Sequence, residues 1–297
     1  MFKKIVVGCA EDQAGKDAVV LAAQLAALLD SDWTVIFPYR PLLSAISADE
    51  MEQRARTGVQ GLTAGIPDLR DPAYHWSPAS WPIRALHEMA LYEHAELIVF
   101  GAARGKLAHL HMSLMERIVH GAPCAIAVAP AHYAEAAVPQ FLRIGVGFAA
   151  SLEGTTALHA GWSLAARSGG ELDVIAGAAL EPELASYAHA APGYAEVEQQ
   201  IFEQTKRALL AAIAELGEEV PIEPETISGQ PADVLIERSS DLDILLLGSR
   251  AYGPLRRVLT GGVSAAVMRE AHCPVLIVPR GVAHERAPIP AREAVAD

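Results

Sequence analysis

The chain has 297 residues, with 23 Lys or Arg against 36 Asp or Glu, so its formal net charge at pH 7 is −13. That charge repels nucleic-acid phosphates and anionic lipid headgroups, which argues against broad binding to nucleic acid or membrane. The longest apolar run, residues 18–29, is interrupted by Gln24 and is too short to span a bilayer. The apolar stretch at residues 5–10 ends at Glu11, before it could serve as a signal segment, so these features predict a cytoplasmic protein.

The first half of the chain alternates apolar, strand-like runs with longer amphipathic runs. The strands are predicted at residues 3–9, 33–38, 70–76, 97–101 and 124–129, and the helices at 14–29, 48–64, 82–94 and 113–121. Alternation of strand and helix predicts a parallel sheet with helices on both faces. We therefore expect an α/β domain over residues 1–130, followed by a linker over residues 131–141.

The second half repeats this order. Its strands are predicted at residues 142–148, 172–177, 222–228, 243–248 and 274–278, and its helices at 153–168, 194–216, 231–239 and 262–271. These runs predict a second α/β domain over residues 142–280. The tail at 281–297 consists largely of Ala, Pro, Glu and Arg without an apolar period, and we expect it to be disordered.

Matching residues recur at a fixed distance between the two halves. Positions 82 and 231 are both Pro, 86 and 235 both Leu, and 124 and 273 both Cys; each pair differs by 149. A fixed period near half the chain length indicates a unit duplicated at the scale of a whole domain. Each copy ends in an apolar edge strand that must be covered, so we expect the two last strands to meet across a pseudo-two-fold axis.

A glycine-containing segment follows the buried strand predicted at 243–248. The chain leaves this strand at Gly248 and reaches a helix start near Gly262, a setting in which backbone N–H groups and the helix dipole can receive a phosphate. The candidate ligand residues are Gly248, Ser249, Arg250, Gly253, Gly261, Gly262, Val263 and Ser264.

This segment and the strand after it resemble a known family. The pattern of two glycines, nine residues and a closing Gly-Ser or Gly-Thr, followed by the run H-C-P-V-L-I-V-P at 272–279, resembles the tandem form of the universal stress protein family. The resemblance extends over residues 3–279. It implies two flavodoxin-like, Rossmann-like domains with five parallel strands each, commonly dimeric through the last strand. Some members of the family bind ATP and others do not. The sequence has no G-x-S-x-G motif, and no residue near the loop resembles a water-activating group or a magnesium ligand, so we expect a non-enzymatic chain and favour ATP hydrolysis least.

The second half departs from the family pattern at three positions. Ala251 replaces the second glycine and Gly262 replaces the closing hydroxyl residue. The acidic residue that nucleotide-binding members place after the first strand falls on Ala149, and in the first half on Ala10. Losing a hydroxyl removes a hydrogen bond worth about 0.5–1.5 kcal/mol, so any ATP site here is expected to be weak.

The first half has departed further. Gly101 is kept, but Arg104 stands at the second glycine position and Met112-Ser113 replaces the closing pair, so we expect no phosphate cradle there. Positive residues nevertheless flank both loops, a distribution that suggests an anion site in a chain of negative net charge. They are Arg104 and Lys106 in the first half, and Arg250, Arg256 and Arg257 in the second.

Other residue types give little sign of chemistry. Cys9, Cys124 and Cys273 lie in or beside apolar runs without C-x-x-C spacing, which favours buried, reduced thiols. His109 and His111 lack a neighbouring ligand at metal-binding spacing, so no metal is predicted.

Two hypotheses about function remain. In the first, a cytoplasmic stress-response or regulatory protein binds an adenine nucleotide weakly in its second half. In the second, both loops are vestigial and the chain is a structural module that recruits a protein partner. Either form is compatible with an intrachain pseudo-dimer, and with a homodimer of whole chains.

Overall fold

The computed structural model describes most of the chain. The described residues are 1–10, 12–39, 47–78, 82–102, 118–119, 121–136, 140–180, 193–252, 257–259 and 261–280. The predicted tail at 281–297 lies outside them, as does most of the helix predicted at 113–121.

The first half contains five strands and four short or medium helices among its described residues. In chain order these are β1 (Lys4–Gly8), α1 (Gln13–Leu29), β2 (Asp32–Tyr39), α2 (Ala48–Thr63), β3 (Ala73–Pro78), α3 (Pro82–Tyr92), β4 (Leu97–Gly101), β5 (Ala125–Ala129) and α4 (Tyr133–Ala136). Local signals fix the ends of α1. Asp12 caps its N-terminus by accepting the N–H of Gly15, and Asp30 ends it in a left-handed conformation.

The second half has the same order. Its described elements are β6 (Arg143–Gly147), α5 (Leu152–Ser168), β7 (Glu171–Ala178), α6 (Tyr194–Ile213), β8 (Ile222–Ser228), α7 (Pro231–Arg238), a 3₁₀ turn (Ser239–Asp241), β9 (Ile244–Tyr252), β10 (Arg257–Leu259), α8 (Gly262–Glu270) and β11 (Val275–Pro279). Ser151 caps α5 as Asp12 caps α1, through the N–H of Gly154. None of the helices in the described ranges has the length and apolar character needed to cross a bilayer.

Ten of the strands form one continuous path in a mixed sheet. Their order is β3-β2-β1-β4-β5-β11-β9-β6-β7-β8, and β10 pairs with β9 outside this path. Along this path, neighbouring strands of the same half are parallel, whereas β5 and β11 are antiparallel. The fold is therefore α/β, with two flavodoxin-like halves that share one sheet.

The register between β5 and β11 is self-complementary. Ile126 lies opposite Ile277, Ala127 opposite Leu276 and Val128 opposite Val275. With the repeat offset of 149, positions 126, 127 and 128 correspond to 275, 276 and 277. Ala127 therefore lies opposite its own counterpart, and Ile126 and Val128 each lie opposite the counterpart of the other. Such a pattern is what a two-fold axis through Ala127 and Leu276 produces. The expected meeting of the two last strands is confirmed.

Buried side chains fill both faces of the sheet. On β1, Ile5 and Val7 pack in one apolar cluster with α1, whereas Val6 packs in the other with Leu86 of α3. Because the strands are covered on both sides, they read in the sequence as continuous apolar runs rather than alternating ones.

Part of the expected linker is packed against the first half. The carboxylate of Asp17, fully buried in α1, accepts the backbone N–H groups of His132 and Ala134, each at 2.9 Å. The hydroxyl of Tyr133 donates to the side-chain oxygen of Gln24 at 2.6 Å. Residues 131–136 are thus a docked segment with a short helix, since the buried carboxylate and amide satisfy its polar groups.

Candidate functional site

The candidate site lies where the strand order of the second half reverses. Strand β6 lies between β7 and β9, and Gly147 pairs with Leu247. Both strands run in the same direction, so Ala149, which lies just after β6, and Gly248, which follows Leu247 within β9, lie toward the same edge of the sheet. In open α/β sheets the crevice beyond the carboxyl ends of two such strands is the usual ligand position.

Packing accounts for the glycine that begins the predicted loop. A Cβ on Gly248 would overlap the backbone carbonyl oxygen of Glu153, in the first turn of α5. The equivalent Gly101 in the first half is crowded in the same way by the carbonyl oxygen of Ala14, in the first turn of α1. Glycine is therefore required at both positions by close contact between helix and strand, whether or not a ligand binds.

The predicted glycine loop after Gly248 is in part a β-hairpin, which corrects the sequence analysis. Strand β9 continues to Tyr252, and β10 returns antiparallel to it, with Leu259 opposite Arg250. Ser249 is buried and lies opposite Pro279 of β11. Ser249 and Arg250 are strand residues because pairing with β11 and then with β10 continues past Gly248. Gly253 lies outside the described residues.

The N-terminus of α8 matches the expectation more closely. Gly261 occupies the cap position with extended backbone and gives no side-chain hydrogen bond to the helix. A Cβ added to Gly261 or Gly262 would meet no atom of the described residues within 4 Å. Val263 is 38% exposed, while Ser264 is buried. The first N–H groups of a helix have no intrahelical acceptor, and here they can receive an anion.

Glu153 and Arg280 form an ion pair beside Gly248 and Ser249 that the sequence did not predict. Glu153 contacts Arg280 at 2.6 Å between Oε1 and Nη2, with side chains 14% and 51% exposed. The backbone N–H of Arg280 donates to the carbonyl oxygen of Ser249 at 3.2 Å. The signal available in the sequence was the position of Arg280, directly after the last strand and hence at the same sheet edge as Gly248.

Several charged and polar residues considered in the sequence analysis are not described. Arg104, Lys106, His109, His111, Met112 and Ser113 lie outside the described residues, as does Arg256. The backbone of Arg250 and Arg257 is described within β9 and β10, but their side chains are not. The expected loss of a phosphate cradle in the first half therefore stays a prediction.

The cysteines and the potential metal ligands show no sign of chemistry in the described residues. Cys9, Cys124 and Cys273 are buried and form no disulfide bond. Burial raises the pKa of Cys124 and of Cys273 to about 12, so both thiols are protonated at neutral pH. Among the described residues, His, Cys, Asp and Glu form no group of three or more that could hold a metal ion.

Comparison with known proteins assigns the second half of the chain to a family. The model of the Universal stress protein family matches residues 140–279, the part of the chain that contains the candidate site. Residues 140–279 belong to the universal stress protein family. The flavodoxin-like halves of the chain and their strand order agree with this membership.

Relatives extend the similarity across the chain. A universal stress protein of Mycobacterium tuberculosis is 29% identical over 202 residues, which are 67% of this chain and 66% of that protein. A second one from the same organism is 23% identical over 295 residues, 93% of this chain and 99% of that protein. The crystal structure of a universal stress protein from Archaeoglobus fulgidus has the same fold, with a TM-score of 0.58, 17% identity, and coverage of 94% of this chain and 97% of that one.

Proposed function

We propose that this universal stress protein is a non-enzymatic, cytoplasmic stress-response protein that binds an adenine nucleotide such as ATP weakly in its second half. Family membership supports the role in stress response. The proposed ligand residues are Gly248, Ser249, Arg250, Gly253, Gly261, Gly262, Val263 and Ser264. We further propose that residues 1–130 and 142–280 are the two domains.

The observation that carries the proposal is the uncapped N-terminus of α8. Gly261 at the cap position gives the first N–H groups no side-chain acceptor, and no atom of the described residues would crowd a Cβ at Gly261 or Gly262. The phosphates of a nucleotide would accept these hydrogen bonds and would interact favourably with the positive end of the helix dipole. The base and sugar would extend toward the crevice between β6 and β9, on the side of Ala149.

Two features make the expected affinity low. Ala149 offers no carboxylate to the sugar or base, and Gly262 offers no hydroxyl to a phosphate. Each missing hydrogen bond is worth about 0.5–1.5 kcal/mol, so the two together weaken binding by one or two decades.

A second candidate function is supported by the packing of Gly248. Because Glu153 and Ala14 crowd Gly248 and Gly101 equally, the glycines are explained without a ligand. In this alternative, the loops are remnants and the protein acts through a protein partner.

Calorimetric titration with ATP tests the proposal. Gly262→Glu places a carboxylate at the N-terminus of α8, where it competes with phosphate while favouring the helix itself. Val197→Glu is the matched control, since Val197 is 44% exposed in the first turn of α6. We expect ATP binding by the unmodified chain and by Val197→Glu, and its loss in Gly262→Glu. Absence of binding to all three favours the interaction module, and phosphate release above a blank would contradict a non-enzymatic role.

A further inference from the structure

We propose that Glu153 and Arg280 set the affinity of the nucleotide site, with Arg280 serving as a phosphate ligand that Glu153 restrains in an internal ion pair. The inference rests on the proposed function and names two residues outside the family glycine pattern. In the protein without nucleotide, Arg280 neutralises Glu153. When a nucleotide binds, its phosphate oxygens compete with the carboxylate for the guanidinium group.

The position of the pair follows from backbone packing. Glu153 belongs to the first turn of α5, whose backbone lies against Gly248 so closely that no Cβ fits between them. Arg280 follows β11, and its backbone N–H is bonded to Ser249. Both residues are therefore held beside the first two residues of the proposed site, at the carboxyl end of β11.

The two side chains differ in their freedom to move. The side chain of Glu153 is only 14% exposed, whereas that of Arg280 is 51% exposed. A half-exposed arginine can turn toward solvent at little cost, and its planar group presents five N–H donors that suit phosphate oxygens. The more buried carboxylate stays in place, where it repels an approaching phosphate. Glu153 thus weakens nucleotide binding in two ways.

Substitution of Glu153 gives the direct test. We expect Glu153→Gln to bind ATP about 5-fold more tightly than the unmodified chain in calorimetry at equal salt, because Arg280 is released and the repulsion is removed. Glu270→Gln is the matched control. It removes the same charge from an exposed ion pair with Arg269 at the end of α8, and we expect no change in affinity.

A second variant separates the ion pair from a general effect of charge. Arg280→Gln should weaken ATP binding about 5-fold, and the double variant Glu153→Gln/Arg280→Gln should lack most of the gain seen in Glu153→Gln alone. Thermal melting of each variant verifies that it is folded.

The outcomes distinguish this inference from the proposed function. If the unmodified chain binds ATP, Gly262→Glu abolishes binding, and Glu153→Gln behaves like Glu270→Gln, then the role of the ion pair is wrong and the nucleotide site stands. If neither the unmodified chain nor Glu153→Gln binds ATP at millimolar concentration, both the site and the inference are overturned.

Discussion

The two halves of the molecule secure the chain that leaves their last strand in different ways. In the first half, the segment after β5 is bonded to α1 through the buried carboxylate of Asp17. In the second half, the residue after β11 is bonded to α5 through the ion pair between Arg280 and Glu153. Both contacts join the residues after a last strand to the helix that follows the first strand of the same half. Because β5 and β11 are antiparallel, the two contacts lie at opposite edges of the sheet.

The difference between these contacts bears on which half can bind a ligand. A buried carboxylate that accepts two backbone N–H groups cannot be displaced without leaving those groups unsatisfied, so we expect this contact of the first half to stay in place when an anion approaches. A partly exposed ion pair contributes little stability, about 0–1 kcal/mol, and a competing anion can replace one partner. In the second half, the contact beside Gly248 is therefore the one that a bound anion can more easily replace.

The largest expected effect comes from Asp17. Asp17→Asn keeps the shape of the side chain but replaces one acceptor oxygen with an amide that faces a backbone N–H. We expect a loss of about 2–3 kcal/mol in unfolding free energy, measured by urea denaturation, and faster hydrogen exchange at His132 and Ala134. Arg280→Gln in the second half should cost less than about 1 kcal/mol.

Glu135→Gln provides the control for Asp17 within the same segment. Glu135 is exposed, and its carboxylate lies 3.3 Å from the ring of the similarly exposed His132. Its substitution should therefore change stability by less than about 0.5 kcal/mol. Equal losses for Asp17→Asn and Arg280→Gln would remove the distinction between the two edges.

The sequence predicted most of the sheet correctly, for a clear physical reason. Parallel strands covered on both faces are continuous apolar runs, so β4 was predicted at its observed bounds, 97–101. Most helix ends were also correct within a few residues, because caps such as Asp12 and Ser151 and the proline that begins α7 are local signals.

Features that depend on tertiary contacts could not be predicted in this way. Strand β10 has three residues and no alternating pattern, and it exists only through pairing with the extension of β9. Asp17 looks like an ordinary polar residue in a helix until residues 132–134 supply its donors. Likewise, Gly248 resembles a phosphate-loop glycine, and only the folded chain reveals the carbonyl group of Glu153 against it.

An intermediate effect is expected at the paired glycines, where the two halves should behave alike. Gly101→Ala and Gly248→Ala each force a methyl group into the backbone of the adjacent helix, and we expect losses of about 1–3 kcal/mol in urea denaturation. Gly262→Ala is the control. A Cβ at Gly262 would meet no atom of the described residues within 4 Å. Alanine in a helix is favoured over glycine by about 0.5–1 kcal/mol, so stability should be unchanged or higher. A large loss at only one of the paired glycines would contradict their equivalence.

The smallest expected effect concerns the paired thiols and appears only at alkaline pH. Folding raises the pKa of Cys124 and Cys273 from 9.0 to about 12, so each neutral thiol stabilises the folded state fully below pH 9. That contribution is lost as the pH rises from 9 towards 12, because the unfolded chain then releases protons that the folded chain retains.

At pH 10 the loss amounts to about 1 kcal/mol for each thiol. Cys124→Ala and Cys273→Ala should therefore each reduce the fall in unfolding free energy between pH 7 and pH 10 by about that amount. Comparing the two pH values within one variant cancels the packing cost of the substitution. Since the two cysteines occupy equivalent positions just before β5 and β11, the reductions should be equal. A reduction for Cys273→Ala alone would indicate that the pKa of Cys124 is not raised by folding. The interior of the first half would then be more accessible to solvent than that of the second, despite the buried Asp17 contact.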